Sequence, residues 1–268
     1  MGTSLRDNVV VLTGASSGIG RALALELAKE GARLVLAARN LSALETVAGE
    51  CRARGACAVA HETDVAEKEQ CRELVERAVA EHGRIDTVVH NAGVSMWARF
   101  DEIADLGILD RLMRVNYFGP VYLTYYALPW LELSRGRIVA ISSVAGVTGY
   151  PTRCGYSASK HALVGFFDTL RIELAPKGIT VTVVYPGFVT SSIRERAFGP
   201  DGKPLGRSPV REWEGMSAEQ CARLTVNAIV RRNRDLYMTA HSWVARWLRR
   251  LAPRAVDRMA ARSILYRK

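Results

Sequence analysis

A tyrosine and a lysine, Tyr156 and Lys160, stand four positions apart at the start of a helical pattern. Residues i and i+4 lie on one helix face, so the phenol and the ammonium group can serve one site. A tyrosine pKa of about 10 is too high for the phenol to exchange protons freely at neutral pH. A nearby ammonium stabilises the phenolate and lowers that pKa. Such a pair can supply the proton that an alkoxide needs when a carbonyl accepts a hydride.

Two serines and an asparagine are placed to join this pair. Ser142 and Ser143 end a predicted strand, and Ser143 precedes Tyr156 by 13 residues. Asn116 lies inside a long helical segment predicted over residues 105–133. Either serine could supply the working hydroxyl, and Asn116 could be only a helix-kink residue, so the residue types alone leave both assignments open.

A glycine-rich turn follows the first predicted strand, with Gly14, Gly18 and Gly20 in the order G-x-x-x-G-x-G. Glycines let a pyrophosphate approach the next helix, whose N-terminal N–H groups and dipole favour negative charge. At the end of the second strand, NAD-binding folds place an acidic residue on the ribose 2′-hydroxyl, but here Arg39 stands in that position. Unless Arg39 is a solvated surface residue, it accommodates the 2′-phosphate of NADP(H), which is the predicted cofactor.

Apolar strand-like runs alternate with helical patterns through the first 190 residues. Strands are predicted at 8–13, 33–38, 56–61, 85–91, 137–142 and 179–185, and helices at 19–30, 41–54, 66–82, 105–133 and 156–175. Runs such as VVVL and TVTVV are typical of strands that helices cover on both faces. The pattern predicts an α/β fold, a doubly wound parallel sheet (Rossmann fold), in a single domain with a helical C-terminal extension.

The positive charge is concentrated near the C-terminus. The formal net charge is +10, and residues 221–268 carry all of it, with 12 basic and 2 acidic residues. We expect the Rossmann-type domain to span 1–238, with a Gly- and Pro-rich substrate loop or lid at 191–215. A basic amphipathic helical extension is predicted over 239–268.

The two faces of this extension differ in chemistry. The apolar face carries Trp243, Val244, Trp247, Leu248 and Leu251, and the basic face carries Arg246, Arg249 and Arg250. Residues 241–268 could lie on an anionic membrane surface, or Trp243 and Trp247 could pack on the protein's own substrate lid or on a partner subunit, with the arginines solvated. The charge is confined to one tail without a nucleic-acid-binding motif, so no nucleic-acid partner is expected.

Several motifs occur together in order, and over about residues 8–190 the chain resembles the short-chain dehydrogenase/reductase family. TGASSGIG is similar to the family's cofactor motif, Asp64-Val65 to its adenine-contacting pair, NAG at 91–93 to its central-strand motif, and Pro186-Gly187 to its nicotinamide-side turn. The cofactor-binding residues that we predict are Gly14, Ser16, Ser17, Gly18, Ile19, Gly20, Arg39, Asn40, Asp64, Val65, Asn91, Ala92, Gly93, Tyr156, Lys160, Pro186, Gly187 and Val189.

Asn116, Ser143, Tyr156 and Lys160 match the catalytic tetrad of that family. The resemblance implies that Tyr156 is the general acid in reduction and the base in oxidation, and that Lys160 lowers its pKa and binds the nicotinamide ribose. It implies that Ser143 holds the substrate oxygen and that Asn116 anchors a water of the proton relay. It also implies a homodimer or homotetramer, because helices around these residues often form subunit interfaces in the family.

Three segments border the substrate in the resembling fold, at 94–100, 144–150 and 188–198. Their apolar candidates are Met96, Trp97, Phe100, Val144, Val147, Tyr150, Phe188, Ile193 and Phe198, and their basic candidates are Arg99, Arg153, Arg194 and Arg196. Mostly apolar walls favour a hydrophobic, lipid-like or steroid-like carbonyl or alcohol. Cys154 is expected to be a buried, inert thiol.

The predicted function is an NADP(H)-dependent oxidoreductase that interconverts a carbonyl and a secondary alcohol. A 3-oxoacyl carrier-protein reductase and a non-catalytic NADPH-binding sensor or scaffold are the alternatives. Five scattered cysteines without Cys-x-x-Cys indicate a reducing compartment and no metal site. The apolar stretch before Gly14 is too short for a signal peptide, and no transmembrane span is expected. We therefore predict a cytoplasmic protein, which could also bind peripherally to a membrane surface.

Overall fold

Seven parallel strands form one sheet in the computed structural model, which describes residues 4–190, 193–209, 215–239, 248 and 251–264. The strands are β1 (Val9–Thr13), β2 (Arg33–Ala38), β3 (Ala58–Glu62), β4 (Thr87–His90), β5 (Arg137–Ile141), β6 (Thr180–Tyr185) and β7 (Asp235–Tyr237). Their order is β3-β2-β1-β4-β5-β6-β7, and all neighbouring pairs are parallel. The predicted doubly wound parallel sheet is confirmed.

Helices cover both faces of this sheet. They are α1 (Gly18–Lys29), α2 (Leu41–Arg52), α3 (Lys68–His82), α4 (Gly107–Met113), α5 (Gly119–Ser134), α6 (Cys154–Leu174), α7 (Ala218–Val230) and α8 (Pro253–Ile264). Along β1, Val10 and Leu12 pack with α1, α2 and α7, whereas Val9 and Val11 pack with α3, α5 and α6. Apolar side chains are therefore needed at every position of the strand, which explains the run VVVL.

The strand order reverses beside β1. The chain proceeds from β1 outward to β3 and then crosses back, so that β4 pairs with β1 on the other side. Leu12 and Val89 are partners in this pairing, so the two strands end at the same edge of the sheet. Doubly wound sheets bind ligands in the crevice that forms at such a reversal.

The helical path that follows β4 contains an irregular turn. The sequence predicts one regular helix over 105–133, but α4 ends at Met113 and a π-helical turn, Arg114–Phe118, separates it from α5. That prediction is wrong in the middle of the segment, because one turn is wider than an α-helical turn. Asn116 lies inside this π turn, a feature that occurs frequently at functional sites.

The loop predicted as a lid is anchored where the structure describes it. The backbone N–H of Trp97 donates to the Phe198 carbonyl at 2.8 Å, and that of Phe198 donates to the Ser95 carbonyl at 2.9 Å. A third backbone bond joins the Ala104 N–H to the Pro200 carbonyl at 2.9 Å. Residues 193–209 are thus held against the segment that follows β4.

Part of the C-terminal extension is described. The chain forms α8, whose Val256 is buried, while Arg254, Arg258 and Arg262 are exposed. Six of the residues assigned to the faces of the extension, Trp243, Val244, Arg246, Trp247, Arg249 and Arg250, lie outside the described residues. Within the described part of the chain, no helix is both long and apolar enough to cross a membrane.

Candidate active site

A cavity of about 1160 Å³ opens at the carboxyl edge of the sheet. Every residue of the predicted cofactor-binding set contributes to its lining, and so do Ser143, Tyr156 and Lys160 of the predicted tetrad. The volume exceeds the ~300–1,000 Å³ of a typical small-molecule pocket, so there is room for a dinucleotide together with a second molecule.

The glycine-rich turn brings backbone atoms closer together than side chains would allow. Gly14 has φ +66°, and a Cβ there would lie 2.7 Å from the Ala92 Cα atom. A Cβ on Gly20 would lie 2.1 Å from the Gly14 carbonyl oxygen. The first turn of α1 therefore closes tightly on the end of β1 and leaves an open cradle in front of its N-terminus.

Asn91 fastens this turn to β4. Its Nδ2 donates to the carbonyl oxygens of Thr13 and Gly14 at 3.0 and 3.1 Å. The Thr13 hydroxyl in turn accepts the backbone N–H groups of Asn91 and Ala92, both at 3.1 Å. Asn91 was predicted to bind cofactor, and in the structure its side-chain amide is used to shape the turn.

The residues present fit the phosphates of a dinucleotide. Ser17 caps α1 with extended backbone and makes no side-chain bond to the helix, so the first N–H groups of α1 face the cavity. The Ser17 hydroxyl accepts a hydrogen bond from the Arg196 guanidinium at 2.9 Å. The sequence interpretation put Arg196 at the substrate, whereas the loop around it carries the side chain over the glycine-rich turn.

The end of β2 presents a cation to the cavity and no acid. The Arg39 side chain is 68% exposed, and its Nη1 lies 4.0 Å from the Asp64 carboxylate. Asn40 accepts the Ala43 N–H at 2.9 Å through its Oδ1 and so caps α2. The Arg39 guanidinium is therefore held loosely enough to turn toward an anion in the cavity.

Tyr156 is buried on the wall of the cavity, and burial raises its pKa. The Arg153 guanidinium opposes this effect, and a hydrogen bond with the Ser143 side chain lowers the pKa of Tyr156 further. Ser142 also lines the cavity, but its buried hydroxyl makes no such contact with Tyr156, and a Cβ on Gly146 would lie 2.5 Å from that hydroxyl. Of the two serines left open by the sequence, the structure brings Ser143 to Tyr156.

Lys160 is buried close to the same tyrosine. Its Nζ donates to the Ile141 carbonyl at 2.8 Å and lies 5.9 Å from the centre of the Tyr156 ring. Burial lowers the pKa of Lys160 to about 8. The expectation that Lys160 lowers the Tyr156 pKa stays a prediction. In this structure the Lys160 ammonium donates to a backbone carbonyl, and the Arg153 guanidinium is the cation that lowers the pKa of the phenol.

Asn116 is buried beside the site but does not line the cavity. Its Oδ1 accepts the Val94 N–H, and its Nδ2 donates to the Val94 carbonyl and the Ser159 hydroxyl, all at 2.9 Å. Both amide hydrogens are therefore in use, and the side chain positions the segment after β4. A water-anchoring role stays a prediction and would have to use the Asn116 backbone.

The substrate end of the cavity is built by only part of the predicted set. Those that line it are Val144, Tyr150, Arg153, Phe188, Ile193, Arg194 and Phe198, whereas Arg196 lines the cavity over the glycine-rich turn. Met96 and Val147 are instead packed into apolar clusters, and Phe100 is 66% exposed. Arg99 turns away to bond Asp101.

Trp97, the remaining candidate, does not line the cavity but stacks against Arg153, 4.7 Å from ring centre to guanidinium carbon. Cys154 is exposed rather than buried, because it begins α6 on the face away from the core. Both predictions are therefore wrong in placement. Periodicity predicts which face of an element is apolar, but it does not predict which neighbour covers that face.

The C-terminal extension supplies a wall that sequence reasoning did not assign to this site. The four residues concerned are Leu248, Val256, Met259 and Ala260. Val256, Met259 and Ala260 lie on one face of α8, and that apolar spacing was the available signal. For these residues the structure favours packing on the protein itself, one of the two alternatives that the sequence left open.

The family follows from comparison with known proteins. Residues 8–200 match the family model described as short chain dehydrogenase. The chain belongs to the short-chain dehydrogenase/reductase family. It is an oxidoreductase of a family whose solved members include complexes with NAD and with an NADP derivative.

Similar curated proteins include two plant proteins and a mouse protein. The chain is 36% identical to the 11-beta-hydroxysteroid dehydrogenase-like 4A of Arabidopsis thaliana, over 93% of this chain and 82% of that protein. It is 38% identical to the 11-beta-hydroxysteroid dehydrogenase A of Sesamum indicum, over 93% and 73%. It is 37% identical to dehydrogenase/reductase SDR family member 7B of Mus musculus, over 98% and 84%.

Two solved structures have the same fold. A short chain dehydrogenase/reductase from Burkholderia phymatum in complex with NAD superposes with a TM-score of 0.83 at 26% identity, covering 94% of this chain and 96% of that one. An alcohol dehydrogenase from the archaeon Thermococcus sibiricus complexed with 5-hydroxy-NADP gives 0.74 at 26%, covering 86% and 95%.

Proposed function

We propose that this protein is an NADP(H)-dependent oxidoreductase that interconverts a carbonyl and a secondary alcohol on a hydrophobic substrate. The observation that carries the proposal is the placement of Tyr156. Its ring is buried on the wall of a cavity that also contains the glycine-rich turn. A proton donor and a nucleotide cradle in one cavity are what carbonyl reduction requires.

A bound nicotinamide would supply or accept the hydride at this site. The α1 N-terminus and Arg196 would hold its phosphates, and Pro186 and Gly187 would border the ring. Lys160 lies within the cavity wall and would bind the adjoining ribose. These side chains and backbone groups orient the nucleotide without covalent chemistry.

Tyr156 would hold the proton that moves during the reaction. In reduction its hydroxyl donates that proton to the alkoxide oxygen, and in oxidation its phenolate accepts it back. The Ser143 side chain, which lies close enough to Tyr156 to lower its pKa, would hold the same substrate oxygen. Proton transfer then occurs at one oxygen that two hydroxyl groups fix in place.

An apolar, lipid-like or steroid-like substrate is supported by the walls around that oxygen. Phe188, Phe198 and Tyr150 line the cavity, and so do Val256 and Met259 of α8. Similar curated proteins are named as 11-beta-hydroxysteroid dehydrogenases, which agrees with a bulky apolar alcohol or ketone.

Preference for NADP(H) is supported by the end of β2. Arg39 lines the cavity where a ribose 2′-phosphate would lie, and no acidic residue stands at 38–40. The two solved structures do not choose between the nucleotides, because one is described with NAD and the other with an NADP derivative.

The test of the reaction is NADPH consumption with ketosteroids, long-chain ketones, aldehydes and 3-oxoacyl thioesters. We expect turnover of an apolar ketone, and a loss on the order of 10²–10⁴-fold in Tyr156→Phe with NADPH binding retained. Tyr150→Phe is the matched control, since it removes a hydroxyl from the same wall. Near-wild-type turnover in Tyr156→Phe would refute the mechanism, NADPH binding without any turnover would favour the sensor, and turnover of thioesters alone would favour the carrier-protein reductase.

Peripheral membrane contact is a further part of the proposal. The apolar face of α8 is turned to the cavity, which leaves Arg254, Arg258 and Arg262 outside as a basic surface next to the substrate end. A cytoplasmic location and a homodimer or homotetramer remain predictions. We expect salt-sensitive flotation of the full chain with anionic vesicles, lost on deletion of 241–268, whereas absence of flotation would refute the contact.

A further inference from the structure

Arg153 has an unusual environment for an arginine. It is the residue before α6, and its guanidinium carbon lies 4.7 Å from the centre of the Trp97 ring and 5.7 Å from that of Tyr156. One guanidinium nitrogen, Nη1, donates to the Ser95 hydroxyl at 3.2 Å. The side chain is thus fixed between two aromatic rings by a hydrogen bond to a buried serine.

No carboxylate pairs with Arg153 among the described residues, although arginines nearby are paired. Arg99, Arg111 and Arg114 each bond an aspartate within six positions along the chain. Burial lowers the pKa of Arg153, and the phenol of Tyr156 raises it again. A partly buried cation without an anionic partner is costly, so the position is explained only if the charge acts on another group.

Tyr156 is the group that the charge faces. The other charged or titratable groups around the ring are Lys160 on α6, whose ammonium donates to the Ile141 carbonyl, and Tyr150 on the preceding loop. Arg194, from the loop after β6, also lies near enough to lower the pKa of Arg153. Arg194 donates to the Val189 carbonyl, as Lys160 does to that of Ile141. Arg153 is therefore the cation of this cluster that contacts the phenol ring and whose hydrogen bond goes to a serine hydroxyl instead of a backbone carbonyl.

We propose that Arg153 is a positioning residue of the active site, whose charge stabilises the phenolate form of Tyr156. It supplements Lys160 rather than replacing it, and it acts from the substrate side of the ring. When the enzyme oxidises an alcohol, Tyr156 must be ionised to accept the proton, and a nearby cation favours that form. This inference deepens the proposed function, on which its kinetic test depends, but its charge effect can be measured without a substrate.

The direct test is a titration of Tyr156 by the near-ultraviolet absorbance of its phenolate. The signal of Tyr156 is the difference between each protein and the same protein carrying Tyr156→Phe. In Arg153→Met, which keeps the aliphatic stem, we expect the Tyr156 transition to move up by on the order of one pH unit. Arg153→Lys should restore much of the shift, and Arg99→Met, which removes an exposed arginine, should leave it unmoved.

The kinetic test is the pH profile of kcat/KM for alcohol oxidation. As the pH increases, kcat/KM should rise at the pH of the Tyr156 transition measured for the same variant. An unmoved transition in Arg153→Met would overturn the proposal. So would an unmoved pH profile with a raised KM confined to acidic substrates, because Arg153 would then bind a substrate anion. If Arg153→Met does not fold, Arg153→Gln replaces it, and equal transitions in Arg153→Gln and Arg153→Lys would overturn the proposal as well. If wild type turns over no substrate, the proposed function fails while the titration still decides the role of Arg153.

Discussion

The two ends of the cavity are built by different means. At the nucleotide end, backbone atoms of the Gly14–Gly20 turn and of the segment after β4 approach one another closely and are joined by Asn91. At the substrate end, side chains such as Tyr150, Phe198 and Val256 meet from distant parts of the chain. A binding site built from backbone atoms tolerates almost no substitution of its glycines. In a binding site built from side chains, substitution of those side chains can change which ligand is bound.

The sharpest test of this contrast compares two glycines. In Gly20→Ala the new Cβ meets the Gly14 carbonyl oxygen at 2.1 Å, so the turn must open. Overpacking of this kind costs roughly 1–3 kcal/mol, and we expect nucleotide affinity to fall by up to about 100-fold. In Gly149→Ala, at the substrate end, the new Cβ meets nothing within 4 Å, and affinity should not change. Nucleotide titration by fluorescence measures both, and equal losses would contradict the contrast.

At the nucleotide end, we expect Arg39 to determine the preference for NADPH over NADH. Arg39→Ala removes the cation that would meet the 2′-phosphate, so the preference for NADPH over NADH should fall by about 10-fold or more. Affinity for NADH should stay within a few-fold. Binding constants for both nucleotides measure this, with Arg33→Ala, an exposed arginine at the start of β2, as the control. An unchanged preference in Arg39→Ala would remove the assignment of NADP(H).

Arg196 connects the two ends, because it belongs to the loop over the substrate and contacts Ser17 of the turn. If it also contacts the nucleotide phosphates, Arg196→Ala should weaken NADPH binding by a few-fold to about 10-fold. Arg207→Ala removes the same charge from an exposed position of the same loop and should have no effect. Equal effects of the two substitutions on binding, at several salt concentrations, would indicate general charge attraction instead.

The smallest expected effect is the uptake of a fraction of a proton by Lys160 when the nucleotide binds. Its pKa is lowered from 10.5 to about 8, so between these values it is neutral in the folded protein and protonated in the unfolded chain. Unfolding then takes up a proton, and the contribution of Lys160 to stability rises with pH through this window. A bound anionic nucleotide should favour the protonated form of Lys160, so nucleotide binding at about pH 8 to 9 should be accompanied by proton uptake.

Calorimetry of NADPH binding in buffers of different ionisation enthalpy measures this uptake. Lys160→Met should abolish it. Lys29→Met, which changes an exposed lysine paired with Glu26, should leave it intact. Persistence of the uptake in Lys160→Met would assign the proton to another group.

The nucleotide end was also the more predictable from sequence. The glycine pattern and Arg39 are local features of the sequence, and at the glycines the φ angles and close backbone approaches restrict which residues can stand there. A serine at the end of β5 could be paired with Tyr156 from their place at one sheet edge, but the choice of Ser143 over Ser142 came from the family resemblance. The π turn at Asn116 could not be predicted, because its residues also suit a regular helix.

At the substrate end, prediction failed where contacts are long-range. Trp97 and Cys154 have residue types that suit either a pocket or a core, so the sequence alone does not decide between the two. The Arg153 charge was noticed only as a possible partner for a substrate anion, because its contacts with Ser95 and Trp97 join residues more than fifty positions apart. Likewise, α8 had a clear apolar face without any sequence signal for what it covers.

The Asn91 clamp has a consequence for how the chain acquires its ligand. Its hydrogen bond to Gly14 spans 77 residues, so the turn is complete only after β4 has docked beside β1. Closing a loop of this length costs chain entropy before the contact can repay it. We therefore expect a bound nucleotide to slow unfolding rather than to speed folding, because it binds a turn that is complete only when the two strands have paired.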